Sequence, residues 1–365
     1  MISRRHVLEG TALLAAAAAC GSPRATPGPV DSPDALVDWI GAHPEQASVL
    51  VDDGRGTAYS HLVDRPRPIA SAVKVTHLAA YAQAIADGRL DPAGQVTVRD
   101  WERWYLPNTD GGAHPLALGA LGATPDSTVT WDDVAAAMID FSDNAATDLL
   151  CERLGDDALR AAAQAGGWPE LDVPHIAGEA LWVLDVDRGP DRRSAAAELG
   201  RAFAAGDPAA LELAAVYTGG PLPGLDESGS RPTLDAAWDA QVEAWDGSWS
   251  ATATQIAALH RAAATDGLGP EVSGTVRRHL ERAVADRLPA GVLGLGQKAG
   301  GLPGLLCYGV SLRRDDGTVG VSVLSLSRLP QQVYQEIDAS GALLLGQQVL
   351  LDDALRERLG EAVAA

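Results

Sequence analysis

The pattern of apolar and polar positions divides the chain into strand-rich ends and a helical middle. Short apolar runs at 47–53 and 57–63, on either side of a Gly-containing turn, predict a hairpin near the start. Longer apolar runs predict strands in the last third of the chain, at 291–297, 304–313 and 319–327. An Asp-Asp-Gly turn separates the last two runs, and a final helix closes the chain.

Helical periodicity dominates the segment between these two groups of strands. Ser32 and Pro33 provide the cap and the first turn of an N-terminal helix, and an Ala-rich run predicts a helix from Ile69 to about Leu90. Further helices are predicted around 131–139, 145–154, 193–205, 208–216, 252–264 and 272–285. This order predicts an α+β fold, in which helices flank an antiparallel sheet built from both chain ends and a mostly helical insert lies between them.

We expect one folded domain rather than several. It would span 33–365, with an α/β part formed by 33–68 and 255–365 and a helical part formed by 69–254. The preceding segment, 21–32, is rich in Pro, Ala and Ser and predicts a flexible linker.

The first 20 residues have the features of an export signal. Arg4 and Arg5 lie in a twin-arginine-like segment, and the apolar stretch up to Ala19 is too short to span a bilayer. Cys20 follows small residues, as in a bacterial lipobox, although Ala17 stands where Leu is usual. We therefore expect a lipid on Cys20 and a protein anchored to the extracytoplasmic side of the membrane, with cleavage and secretion as the alternative.

Charge and cysteine content narrow the possible partners. The formal net charge is -21, with 49 acidic and 28 basic residues, which argues against nucleic-acid binding and fits a soluble exported protein, expected to be a monomer. Cys151 and Cys307 can pair in an oxidising compartment, but two buried free thiols are the interpretation we prefer. Because no zincin, C-x-x-C, Walker or dinucleotide-binding pattern is present, we expect neither a metal ion nor a cofactor.

Ser71 and Lys74 are the first candidate pair for chemistry. On a helix, residues three apart lie on the same face. A serine hydroxyl is a weak nucleophile that needs a nearby base, and a lysine can serve once burial or a neighbouring cation lowers its pKa. The S-x-x-K spacing alone is common, so its meaning depends on the two motifs that follow it.

Three short motifs stand in order, Ser71–Lys74, Ser142–Asn144 and Lys298–Gly301. Together they resemble those of the penicillin-recognising serine enzymes, the superfamily of class A β-lactamases and D,D-peptidases, whose set is S-x-x-K, S-D-N and K-T-G. The resemblance extends over 33–345, and the residues flanking the second and third motifs are similar to those of actinobacterial members. It implies a β-lactamase/transpeptidase-like fold.

The resemblance also implies a role for each motif residue. Ser71 would attack a carbonyl carbon and become the acyl carrier, while Lys74 would accept its proton. Ser142 would lie between two lysines and pass a proton to the departing nitrogen. Asn144 would position the Lys74 amine and a substrate amide, and Asp143 is expected to be structural.

The third motif would bind the rest of the substrate. Lys298 would attract a substrate carboxylate and lower the pKa of Lys74 by repulsion. Backbone N–H groups of Ser71 and Gly301 would form the oxyanion hole. Gly300 and Gly301 would let the substrate backbone lie against the strand.

The sequence also departs from the family pattern. Ala299 replaces the usual Thr or Ser, so a hydroxyl for the substrate carboxylate is missing, and no E-x-x-L-N loop is present. Glu179 is our candidate for the base that activates the deacylating water, and Glu170 is the second choice. Among weaker candidates, His77 is expected to pack in the core, and His114 to lie on a surface loop or to border the cleft.

We expect an exported serine acyl hydrolase, in the first instance a class A-like β-lactamase that opens β-lactam amides. A D,D-peptidase, amidase or esterase acting on cell-wall peptides is the first alternative, favoured by the missing loop and by Ala299. A penicillin-binding sensor lipoprotein without turnover is the second. In each case the ligand would be a small molecule or a peptide.

Overall fold

A five-stranded antiparallel sheet forms the centre of the computed structural model, which describes residues 29–184, 191–219 and 234–364. The predicted export signal, including Cys20, lies outside the described residues. The strands are β1 (Ala47–Asp52), β2 (Ala58–His61), β3 (Arg67–Pro68), β4 (Gln95–Thr97), β5 (Thr128–Thr130), β6 (Ser250–Ala251), β7 (Val292–Leu302), β8 (Leu305–Arg314) and β9 (Val319–Ser327). The helices are α1 (Pro33–Ala42), α2 (Lys74–Ala86), α3 (Val98–Glu102), α4 (Ala113–Leu121), α5 (Trp131–Asp140), α6 (Asn144–Leu154), α7 (Asp156–Ala165), α8 (Ile176–Leu184), α9 (Arg192–Ala204), α10 (Pro208–Gly219), α11 (Leu234–Asp246), α12 (Ala253–Ala264), α13 (Pro270–Leu280), α14 (Gln331–Ser340), α15 (Leu345–Gln348) and α16 (Asp353–Ala364).

The strand order of the main sheet is β2-β1-β9-β8-β7, and every adjacent pair is antiparallel. The N-terminal hairpin therefore completes a sheet whose other strands come from the end of the chain. The predicted α+β fold class is confirmed. Strand β7 continues to Leu302, past the predicted end at 297, so the Lys298–Gly301 motif lies within the strand.

Side chains of alternate residues in the sheet enter two different apolar cores. In β8, Cys307 packs among the helices of the insert, whereas Leu306 and Tyr308 face α1 and the C-terminal helices. Every residue of β8 except Arg313 is buried, because both faces of the sheet are covered. The central helix α2 lies in the first core, with Leu78 and Tyr81 fully buried.

Two predicted helices have different limits in the structure. A 3-10 turn at Ala70–Val73 precedes α2, which ends before Gly88, a glycine with φ of +66°. The predicted single C-terminal helix is three helices, and Gly341, with φ of +72°, separates the first from the others. Left-handed backbone favours glycine and ends a helix at these positions.

Cys151 and Cys307 are both buried free thiols, the alternative that we preferred to a disulfide. Within the described ranges, none of the helices has the length and apolar character that crossing a bilayer requires.

Candidate active site

Ser71 lies in the 3-10 turn that leads into α2, at the wall of a cleft of about 1350 Å³. Ala70, immediately before it, has φ of +48°, a conformation that is costly for a residue with a side chain. The indole Nε1 of Trp249 donates a hydrogen bond to the Ala70 carbonyl at 2.7 Å and so helps to fix this turn. The serine is thereby presented to the cleft from a strained, anchored segment of backbone.

Lys74 is the first residue of α2 and is completely buried. Its Nζ donates to Asn144 Oδ1 at 2.6 Å and to the Ser142 carbonyl at 2.5 Å, and it lies 3.2 Å from Ser142 Oγ. Burial, reinforced by the positive charge of Lys298, holds the pKa of Lys74 well below its ordinary value. A neutral amine keeps two donors for the oxygens of its neighbours and has a lone pair left to accept a proton.

Ser142 connects the two lysines. Its Oγ lies 3.2 Å from Lys74 Nζ and 3.0 Å from Lys298 Nζ, in the short loop between α5 and α6. Ser142 has φ of +64°, which again marks a strained residue beside the cleft. The hydroxyl can therefore exchange a proton with either amine.

Asp143 and Asn144 fix that loop to the start of α6. Asp143 Oδ1 accepts from the Ala146 amide at 3.0 Å as the N-cap of the helix. Asn144 Nδ2 donates to the Thr109 carbonyl at 2.9 Å, so its Oδ1 points to Lys74. Asp143 thus has the structural position that the sequence analysis expected.

Lys298 lies in β7, at the edge of the sheet, and its Nζ also contacts the Ala299 carbonyl at 3.2 Å. Burial lowers the pKa of Lys298 to about 8, so the amine is largely protonated at neutral pH. Two residues further on, Gly300 packs against the turn at Ser71. A Cβ at Gly300 would lie 2.6 Å from the Ser71 nitrogen, whereas Gly301 is exposed to the cleft.

The structure therefore brings together seven of the predicted site residues. The turn that bears Ser71 adjoins Lys74, Ser142, Asn144, Lys298 and Gly300 at one wall of the cleft, and Gly301 also lines it. These residues come from the start of α2, the loop before α6 and the edge strand β7, which are distant in sequence.

Glu179, the predicted base for deacylation, does not join this group. It lies on α8 with its side chain fully buried, and its carboxylate pairs with Arg192 at 2.5 Å and with Arg193. The glutamate is thus held against α9 rather than turned into the cleft. Glu170, the second choice, is exposed in the middle of the loop between α7 and α8 and does not line the cleft either.

The acidic residues that line the cleft, within the described part of the chain, are Asp110, Asp140 and Asp338. Asp110 accepts from the backbone amides of Gly112 and His114 at 3.0 Å each. Burial raises the pKa of Asp110 and of Asp338, so both carboxyls hold a proton more tightly than usual.

His114, which the sequence places either on a surface loop or at the border of the cleft, contacts the second motif. It is buried, not on the surface, and its Nδ1 lies 2.9 Å from Asp143 Oδ2. The rings of Trp101 and Tyr105 surround it, with ring centres 5.1 Å and 4.5 Å away. Its place at the start of α4 is not visible in the local sequence, because that helix has no polar cap of its own.

Aromatic side chains from the end of the chain form another part of the cleft that the sequence analysis missed. The residues that line the cleft include Trp238, Tyr308 and Tyr334. Trp238 and Tyr334 contact each other with ring centres 5.4 Å apart. No short motif marks these residues, which come from α11, β8 and α14.

Comparisons with known proteins agree with this fold. Residues 33–209 match the model of the β-lactamase enzyme family. A β-lactamase from Sphaerobacter thermophilus superposes with a TM-score of 0.52 at 18% identity, over 86% of this chain and 97% of the other. A mutant of the class A β-lactamase of the last common ancestor of Gram-negative bacteria gives 0.50 at 18% identity, over 88% and 98%. No curated protein sequence matches the chain.

Proposed function

Because residues 33–209 match the β-lactamase enzyme family and the fold is similar to that of class A β-lactamases, we propose that the chain is a serine acyl hydrolase that opens β-lactam amides through an ester on Ser71. The observation that supports this most directly is the position of Ser142 Oγ, 3.2 Å from Lys74 Nζ and 3.0 Å from Lys298 Nζ in the cleft that Ser71 lines. Two buried amines bridged by a hydroxyl form a path for a proton between a nucleophile and a leaving nitrogen.

In the acylation step, Ser71 Oγ forms a bond to the carbonyl carbon and transfers its proton to the neutral Lys74 amine. When the C–N bond of the amide breaks, the Ser142 hydroxyl gives its proton to the departing nitrogen and takes one from Lys74. The lowered pKa of Lys74 increases the share of the neutral amine, the form that can accept this proton. Lys298, with a pKa of about 8, supplies a positive charge for a substrate carboxylate.

A D,D-peptidase or amidase that acts on cell-wall peptides is the second candidate. The observation that favours it is the burial of Glu179 between Arg192 and Arg193, since a carboxylate held in this way does not activate water in the cleft. An acyl-enzyme without such a base turns over slowly or transfers its acyl group to an amine. The absence of a hydroxyl at Ala299 points in the same direction.

Intact-mass measurements with benzylpenicillin and a chromogenic cephalosporin test the proposal. We expect a covalent adduct of one ligand mass, absent in Ser71→Ala and retained in Ser60→Ala, whose serine is exposed on β2. A short-lived adduct with a continuing colour change of the cephalosporin supports the β-lactamase. A persistent adduct whose lifetime is shortened by added amines supports the peptidase. A persistent adduct that neither water nor amines remove would indicate a sensor. Folded protein that forms no adduct with either compound would refute the acylation.

Export and anchoring are part of the same proposal. If Cys20 is lipidated, the full chain expressed in an actinobacterial host will incorporate labelled fatty acid and sediment with membranes. Cys20→Ala should release it, whereas Cys307→Ala should not. A wild-type protein that carries no label and is found in the medium would support secretion instead.

A further inference from the structure

A second cluster of reactive side chains lies where α6, α7 and α8 meet, outside the catalytic group. Cys151 near the end of α6, Asp156 at the start of α7 and His175 just before α8 each place one ligand-type atom within 4.8 Å of the other two. Cys151 Sγ lies 3.8 Å from Asp156 Oδ1, and His175 Nε2 lies 3.5 Å from the same oxygen. The proposed mechanism uses none of the three.

These separations fit the coordination shell of a metal ion better than a network of hydrogen bonds. With Zn–S of about 2.3 Å and Zn–N and Zn–O of about 2.0–2.2 Å, tetrahedral angles place sulfur about 3.6 Å and nitrogen about 3.4 Å from the oxygen. The observed values, 3.8 Å and 3.5 Å, lie close to both. A nitrogen–oxygen separation of 3.5 Å is long for a hydrogen bond.

The imidazole of His175 provides an independent observation. Its side chain is 8% exposed, yet Nε2 has no hydrogen-bond partner among the described residues. An unpartnered nitrogen that is buried and turned towards a thiol and a carboxylate costs free energy unless something binds it. Asp156 also faces Arg160, at 3.4 Å from its other oxygen, and its side chain is 30% exposed, which leaves a route for an ion and a solvent ligand.

We propose that Cys151, Asp156 and His175 form a binding site for one zinc-like divalent cation, with solvent as the fourth ligand. Sulfur, nitrogen and oxygen donors of this kind are those that Zn²⁺ and Co²⁺ prefer. Binding converts the Cys151 thiol to a thiolate and releases its proton to solvent, so affinity rises with pH.

An ion at this site would stabilise the wall of the catalytic cleft. Next to it, Asp148 accepts hydrogen bonds from the backbone amides of Ile176 and Ala177 at 2.8 Å each, and Ile176 lines the cleft. The ion would join the same segment to α6 and α7. The sequence analysis expected no metal, because ligands from three separate elements follow none of the familiar short spacings.

Co²⁺ titration of the chelator-treated protein tests the site. We expect one equivalent to bind, with the near-ultraviolet charge-transfer absorption of a thiolate–cobalt bond and the release of about one proton, and Zn²⁺ to displace it. Cys151→Ser should lose that absorption and weaken binding by more than about 100-fold, because the loss of a direct ligand exceeds that of outer-shell partners. Cys307→Ser, at the other buried thiol, should keep both.

A second variant keeps the result interpretable if Cys151→Ser folds poorly. His175→Gln should show native circular dichroism and weaker Co²⁺ binding, and the wild-type melting temperature should rise with Zn²⁺ concentration while that of the variant does not. Folded wild-type protein that binds no Co²⁺, or whose spectrum is the same in Cys151→Ser, would overturn the site. Because these measurements need no substrate, they are independent of the acyl-transfer proposal.

Discussion

Gly300 provides the sharpest test of how the third motif positions the nucleophile. Its φ angle is not positive, so the requirement for glycine comes from space alone. A Cβ at this position would lie 2.6 Å from the backbone nitrogens of Ser71 and Ala72 and nearer still to the carbonyl oxygen of Ile69, whereas real Cβ atoms essentially never come within 3.0 Å. These atoms belong to the backbone of the turn and cannot rotate away as a side chain can. In Gly300→Ala the strand and the Ser71 turn must therefore separate.

The separation should affect catalysis more than folding. Forcing one methyl group into a packed site costs about 1–3 kcal/mol of unfolding free energy. A displacement of about 1 Å in the reacting groups costs about 100-fold in rate. We therefore expect Gly300→Ala to remain folded and to form the Ser71 acyl-enzyme about 100-fold more slowly than the wild type.

Gly301→Ala is the matched control. The nearest atoms to a Cβ there would be Tyr334 Oη at 3.0 Å and Leu306 Cδ2 at 3.4 Å, side-chain atoms that can shift, and the Leu305 carbonyl oxygen would lie at an ordinary van der Waals distance of 3.9 Å. The Gly301 N–H is unchanged by the substitution, so the acylation rate should stay within about threefold of wild type. This is less than the roughly tenfold change in rate that about 1.4 kcal/mol of activation free energy produces.

The assay combines stopped-flow acylation by a chromogenic cephalosporin with urea denaturation of the same samples. If Gly300→Ala has the acylation rate and the stability of the wild type, the close approach of β7 to the Ser71 turn is refuted. Equal losses of rate in Gly300→Ala and Gly301→Ala would show that the strand needs flexibility, and would refute the steric reasoning.

Three further predictions concern charge. Because the pKa of Lys298 is about 8, acylation by a carboxylate substrate should fall as pH rises through 8 in the wild type. In Lys298→Arg the side chain stays charged, so the fall in acylation rate should move to higher pH. If the pH profiles of the acylation rate coincide for the wild type and Lys298→Arg, this role of Lys298 is contradicted. Glu179→Gln leaves Arg192 without its carboxylate, while Arg193 keeps its ion pair with Asp172, and should lower the free energy of unfolding in urea by about 3–5 kcal/mol without trapping an acyl-enzyme; a trapped adduct would restore Glu179 as the base. His114→Ala removes the hydrogen-bond partner of one Asp143 oxygen and should lower the free energy of unfolding in urea by about 1–3 kcal/mol. An unchanged free energy of unfolding would show that this contact contributes nothing to stability.

The sequence was sufficient for the fold class and for most of the residues that meet at the candidate site. Alternating apolar runs are a local property, because the side chains of a strand point to opposite faces whatever its partners are. The hairpin near Val49 and the three strands of the last third were therefore found with small errors at their ends. The motif residues Ser71, Lys74, Ser142 and Lys298 were identified by residue type and order.

Tertiary structure decided where the remaining polar groups lie. Glu179 follows the second motif at a suitable distance, but its carboxylate pairs with two arginines of α9, and a sequence does not show which face of α8 is covered. His114 is buried because α4 packs beside α6 and brings it to Asp143. Gly300 must be glycine because β7 passes the Ser71 turn, and the cluster at Cys151 depends on three elements meeting. Local patterns identify the candidate site residues, but burial and charge pairing arise from contacts between distant segments, which only the folded chain determines.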